Sequence, residues 1–176
     1  PPFPYTTLFR SPYLPFPYED LKADLLVKEM HDGEMMVIGD ATVLQSAELD
    51  HPGGCLGFRI ANSGTVVTYC TDTTHREGQL NPAVLELARN ADLLIHDSQH
   101  TPEQKAAMPD YGHSSWLDAV QVAIEANVKR LALFHHAPDA TDAELDAILQ
   151  QARMYFPNTI LAKEGITLHL NNGKVE

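Results

Sequence analysis

The run Ala91-Asp92-Leu93-Leu94-Ile95-His96-Asp97 decides the fold, because a short apolar core ends there in an imidazole and a carboxylate. Leu-Leu-Ile marks residues 92–96 as a buried strand. Helix starts flank it. Upstream, Asn81-Pro82 combines an N-cap with a first-turn proline and opens a short helix to about residue 89. Downstream, Ser115-Trp-Leu-Asp118 is a capping box opening a helix to about residue 126, on which Trp116, Val120 and Ile124 form one core-facing stripe. Residues 130–134 are another apolar strand. Thr141-Asp-Ala-Glu144 is a second capping box, and its helix buries Leu145, Ile148, Leu149 and Ala152. Farther upstream the period shortens. Residues 34–38 and 41–49 read as strands around the Gly39-Asp40 turn, and residues 56–60 and 65–70 as a hairpin around Asn62-Ser63-Gly64. Four strands followed by alternating helices and strands make a layered α/β (α+β) arrangement with helices covering a sheet.

Composition narrows the class. The 176 residues suit a single domain, and 44% apolar with 20% charged residues is the balance of a globular chain. No apolar run approaches the roughly 18 residues of a transmembrane helix. Twelve basic against 24 acidic residues give a net charge of −12, which argues against nucleic-acid and membrane-surface partners, since both call for excess Lys and Arg. Cys55 and Cys70 cannot build a disulfide framework, fit a reducing, cytoplasmic setting, and are expected to be free thiols.

The first residues differ from the rest. Six of the 12 prolines fall within residues 1–17, and Phe3 to Ser11, FPYTTLFRS, resembles the in-frame translation of TTTCCCTACACGACGCTCTTCCGATCT, the end of a sequencing adapter. Residues 1–11 are therefore expected to be a non-native, adapter-derived segment, and residues 12–176 a partial domain.

The nine histidines carry the functional signal. His51 follows the second strand in a Pro-Gly-Gly turn, Asp72 follows the hairpin, and His96 and Asp97 end the central strand. His113 precedes a helix, and His135 and His136 follow the strand at residues 130–134. Strand ends are where open α/β sheets place their chemistry, and imidazole with carboxylate is a donor set for a divalent metal. Taken singly, His51, Asp72 or His135 reads more readily as a cap or a hydrogen-bonded polar group, and it is their joint pattern that favours a metal site. His31, His75, His100 and His169 read as ordinary loop or edge residues.

The strings LDHPGGCLGFRI (49–60), YCTDTTH (69–75), ADLLIHDSQHT (91–101), YGHSSW (111–116) and LALFHHAPDATDAELD (131–146) together are similar, in order and spacing, to the metallo-β-lactamase-fold phosphodiesterases, the group of tRNase Z and related cyclic-phosphate hydrolases. The resemblance covers residues 21–170. It implies the C-terminal half of a four-layer αββα sandwich with the first half missing, so that one sheet face is left uncovered. It also implies two divalent metal ions, Zn or Mn, with His51 on one, Asp72 bridging both and His135 on the other. His136 is the second choice for the last ligand. His113 matches the proposed general acid, and His96-Asp97 matches a neighbouring catalytic His-Glu segment.

The family's His-x-His-x-Asp-His string, which supplies four ligands, is absent from these residues. Three ligands of seven do not hold two metals tightly, so partial metal binding and little or no turnover are expected of this polypeptide, the intact parent being the hydrolase. Only 20 residues separate His51 from Asp72, room for one hairpin and not for the RNA-gripping arm of the tRNA-processing branch. The implied substrate is therefore a small phosphodiester rather than a nucleic acid. Thioester, lactone or β-lactam hydrolysis is the alternative on the same fold. A non-catalytic binding module, or one that forms a homo-oligomer, is the alternative of another class.

Overall fold

A computed structural model of the chain describes residues 28–76 and 78–170. The expectation for residues 1–11 lies outside them. Seven strands lie in one sheet in chain order: β1 (Met35–Ile38), β2 (Thr42–Leu49), β3 (Cys55–Asn62), β4 (Thr65–Cys70), β5 (Leu93–Asp97), β6 (Leu131–Phe134) and β7 (Thr159–Leu161). The first four form an antiparallel meander, and β4 to β7 run parallel. Between β3 and β4 the two-residue loop Ser63-Gly64 has φ of 48° and 80°, the doubly positive turn whose twist matches a hairpin.

Helices α1 (Pro82–Ala88), α3 (Trp116–Glu125) and α4 (Asp142–Tyr155) cover one face of the sheet, α1 over β2–β4, α3 over β5 and β6, and α4 against β7. A short α2 (Pro102–Ala107) follows β5. Each parallel strand needs a crossover, and these helices supply it while burying Leu49, Val84, Leu87, Leu94, Val120, Leu131 and Leu133 beneath them. Asn81 caps α1, and Ser115 and Thr141 open α3 and α4 as full capping boxes.

Ile124 departs from the stripe expected of it and is 53% exposed. At 100° per residue, eight positions overshoot two turns by about 80°, so Ile124 has rotated away from Trp116. The buried face of α3 is instead Trp116, Ala119, Val120, Val122 and Ala123. On α4, Ala152 is buried, while Leu145, Ile148 and Leu149 are partly buried against the same core. Among the described residues no helix lies on the far sheet face, where register aligns Phe58 with Tyr69 and Tyr69 with Ile95. No helix of the described residues is long and apolar enough to cross a membrane. Cys55 and Cys70 are both free, and burial pushes both thiols above their ordinary range.

Candidate metal centre

Strands β2, β4, β5 and β6 share one direction, so their C-terminal ends meet at one edge of the sheet. His51 and Asp72 come shortly after β2 and β4, Asp97 ends β5, and His135 follows β6. The backbone of Asp72 has φ of 52° and that of His135 has φ of 56°. Residues with a Cβ avoid this left-handed region, and holding one there costs about 1–3 kcal/mol, a strain that gathers at functional edges.

Asp72 lies between two histidines. Its Oδ1 is 3.4 Å from His135 Nε2, and one of its oxygens falls within 4.8 Å of ligand atoms of His51 and His113, all three mutually. A second group, Asp97, His113 and His135, meets the same limit. The His113 ring is common to both. Its centroid is 5.1 Å from that of His51 and 4.8 Å from that of His135, over which it stacks at 24°.

Hydrogen bonds set which ring nitrogens are free. His51 Nδ1 lies 2.9 Å from the carbonyl oxygen of Gly112, which can only accept, so Nδ1 carries the proton and Nε2 keeps its lone pair. His113 Nδ1 donates in the same way to Asp97 Oδ2 at 2.7 Å. Such donation to a carbonyl or carboxylate is how metal-binding histidines are oriented. These donors, imidazole nitrogens and a carboxylate on separate strand ends, fit a divalent cation of the zinc or manganese kind.

Asp97 is fully buried and has no oxygen to spare. Besides His113 it accepts the backbone N–H groups of Thr73, Gln99 and Ser114 at 3.1–3.3 Å, tying the loops after β4 and β5 to the loop before α3. Its role is to fix His113 and those loops.

His96, expected to act beside Asp97, is not brought to this cluster. Consecutive strand residues face opposite sides of a sheet, and His96 is fully buried on the helix side. There its Nδ1 donates to the Asp97 carbonyl, and its Nε2 accepts from His75 Nε2 at 3.2 Å. His75 Nδ1 in turn accepts from the Asn81 backbone. Burial, and next the neighbouring His96, hold His75 down to about 3. His136 also stays outside both groups, its Nδ1 3.4 Å from Ser98 Oγ.

Gly112 was not singled out from the sequence. It has φ of 92°, and a Cβ there would lie 2.3 Å from Pro52 Cδ and 2.7 Å from His51 Nδ1. A glycine directly before a candidate histidine was the available signal. His100 is another residue passed over. It is buried, its Nε2 has no hydrogen-bond partner among the described residues, and burial, then His113, hold it below the ordinary imidazole range.

The chain is 39% identical over 142 residues to ribonuclease Z of Crocosphaera subtropica, covering 79% of this chain and 41% of that protein. It is 32% identical over 146 residues to ribonuclease Z of Prochlorococcus marinus strain NATL1A, covering 81% and 42%. The chain therefore spans less than half the length of these curated relatives. Among solved structures, a metallo-β-lactamase fold protein from Bacillus subtilis superposes with a TM-score of 0.64 at 23% identity, over 78% of this chain and 53% of that one. Human tRNase Z, short form, gives 0.59 at 19% identity, over 78% and 46%. The ribonuclease names of these relatives count against excluding nucleic acid on net charge. A sum of −12 counts carboxylates over the whole surface, whereas a phosphate meets only the local field at the site. The α/β fold is the one these structures share, and the sequence matches the Beta-lactamase superfamily domain over residues 10–136, from ahead of β1 to the second histidine after β6, so the chain belongs to that family.

Proposed function

We propose that the protein carrying this chain is a metal-dependent hydrolase of phosphodiesters, acting on a small substrate such as a cyclic nucleotide or cyclic phosphate. The observation that supports this most is Asp72 standing between His51 and His135 with the Asp97–His113 pair against them. His51 would hold one divalent cation, His135 the other, and Asp72 both, because a carboxylate offers two acceptor oxygens. When bound, such cations supply Lewis acidity at the phosphoryl oxygens and lower the pKa of a bound water.

The remaining work belongs to the side chains. Asp97 holds His113 through Nδ1, so the protonated ring presents Nε2–H away from Asp97 and gives that proton to the leaving oxygen. Gly112 keeps His51 with its lone pair free. The absence of a His-x-His-x-Asp-His string from these 176 residues supports weak turnover by this polypeptide alone.

Hydrolysis of RNA is the second reading, favoured by the ribonuclease Z relatives at 32% and 39% identity. Against it stands the short 20-residue span between His51 and Asp72, filled by the β3–β4 hairpin. The test compares bis(p-nitrophenyl) phosphate, a 2′,3′-cyclic nucleotide, a precursor tRNA, a thioester and a β-lactam, with Zn(II) or Mn(II). Both the 176-residue chain and the longest natural protein containing it are assayed. Small phosphodiesters should be preferred, slowly by the chain, and Asp72→Ala should abolish the reaction. Faster precursor-tRNA cleavage selects the second reading, and preference for the thioester or β-lactam overturns both. Ready turnover by the 176-residue chain would overturn its assignment as weakly active.

A further inference from the structure

We infer that Tyr111 sets the substrate specificity of this site: its exposed ring is a platform for the planar base of a nucleoside, which makes the small phosphodiester a nucleotide and not an alkyl phosphodiester. The inference rests on the reading above for the reaction and goes beyond it in naming the residue that selects the substrate.

Position is the first ground. The Tyr111 ring centroid lies 5.7 Å from that of His113, the group that protonates the leaving oxygen. Among the described residues the other rings against His113 are those of His51, His100 and His135, so Tyr111 supplies the one phenyl face there. Proton transfer brings whatever the leaving oxygen carries up to His113, and so up to Tyr111. In a 2′,3′-cyclic nucleotide, water adds to phosphorus, the bond from phosphorus to O2′ breaks, and O2′ takes the His113 proton. The base is on the same ribose, at the carbon next to the one that bears O2′.

Exposure is the second ground. Tyr111 is 57% exposed although it stands against two other rings. Its contacts with His100 and His113 are both tilted, so neither ring lies flat over it. The other exposed aromatic side chains are turned elsewhere, Tyr155 to Trp116 and Phe134 to Tyr69.

The third ground is that the ring is fixed in advance. Tyr111 N–H donates to the Met108 carbonyl at 3.2 Å, and Gly112 follows with φ of 92° and no space for a Cβ. His100, the other neighbour of the ring, is buried and locked by its backbone. Its N–H donates to the Ser114 carbonyl at 3.1 Å, and its own carbonyl accepts from Trp116 N–H at 3.0 Å. Such a platform loses little freedom when a base settles on it, and tyrosine has few side-chain torsions to lose. Stacking accepts any base, because each has a π face, so purine and pyrimidine nucleotides should both be favoured over a compound without a base.

The experiment compares 2′,3′-cyclic AMP with glycerol 1,2-cyclic phosphate, the same cyclic phosphodiester ring without a base. With the longest natural protein containing this chain and Zn(II) or Mn(II), kcat/KM should favour the nucleotide. Tyr111→Leu keeps apolar bulk but has no π face, and it should reduce that preference about 5–150-fold, through KM rather than kcat. Tyr111→Phe should retain the preference. The preference is a ratio within one preparation, so a loss of folded protein does not alter it. Independently of turnover, proton NMR of 3′-AMP with the 176-residue chain should show upfield shifts of the adenine protons, absent with Tyr111→Leu. Equal kcat/KM for the two compounds, or a preference unchanged in Tyr111→Leu, would overturn the inference while leaving the metal-dependent hydrolase standing. Turnover of neither compound would overturn the reading of the reaction, and the adenine shifts would then decide the inference. Their presence, and their loss in Tyr111→Leu, would support it, and their absence would overturn it.

Discussion

Gly112 is the residue on which the cluster most depends without contributing a side chain to it. Its carbonyl sets the His51 tautomer, and its missing Cβ admits Pro52 and His51. Gly112→Ala should lower Zn(II) affinity about 10–100-fold by calorimetry and reduce stability by about 1–3 kcal/mol in urea melts. The buried His75–His96 pair predicts a pH dependence. His75 is held at about 3 when folded, against an unfolded value near 6.5. Below the unfolded value the unfolded chain binds the proton that the folded chain refuses. Stability is therefore complete above about pH 6.5 and falls toward pH 3, at up to about 1.4 kcal/mol per pH unit for this histidine. Urea midpoints at pH 7.5 and pH 5 in chelator should show the drop, and His75→Gln should shrink it. An equal drop in the variant would remove His75 as the cause. Neither device was legible in the sequence. His75 and His96 are 21 residues apart and Gly112 and His51 are 61 apart, and nothing local announces either contact.

At the scale of elements, most of the fold was legible because its punctuation is local. Asn81, Ser115 and Thr141 cap helices through side-chain acceptors within three residues, and Ser63-Gly64 turns the hairpin with two positive φ values. Two elements escaped. Helix α2 begins at Thr101 with a complete capping box to Gln104 but buries no residue, so it carries no apolar period. Strand β7 is three residues long and draws its identity from pairing with β6. The cap of α3 adjoins the site: Ser115 follows Ser114, whose N–H reaches Asp97, and Asp118 accepts from Ser115 and from Lys105 Nζ at 2.9 Å. Ser115→Ala should cost about 0.5–2 kcal/mol, read as a lower urea midpoint with an unchanged slope. Lys105→Met leaves the cap itself intact and should cost less.

For the whole molecule, the cluster joins the ends of β2, β4 and β6 and the loop before α3, so a bound cation should stabilise all of them together. At free Zn(II) a hundredfold above its dissociation constant the gain is about 2.7 kcal/mol, and for a chain of this size each kcal/mol moves the melting temperature by roughly 2–4 °C. Calorimetry should show that rise, reversal by chelator, and its loss in Asp72→Ala. A melt indifferent to zinc would deny the site its binding. The sequence by itself determined strands β1 to β6, the capped starts of α1, α3 and α4, and the placing of histidine or aspartate at strand ends. Apolar period and capping chemistry are written within a few residues, so they can be read along the chain. Tertiary structure alone decided that Asp97 faces the cluster while His96 turns to the core. It also decided that Asp72 stands between His51 and His135, and that the Gly112 carbonyl orients a histidine from another loop. These depend on which sheet face the helices cover and on strand directions that bring distant residues to one edge, and no local pattern encodes either.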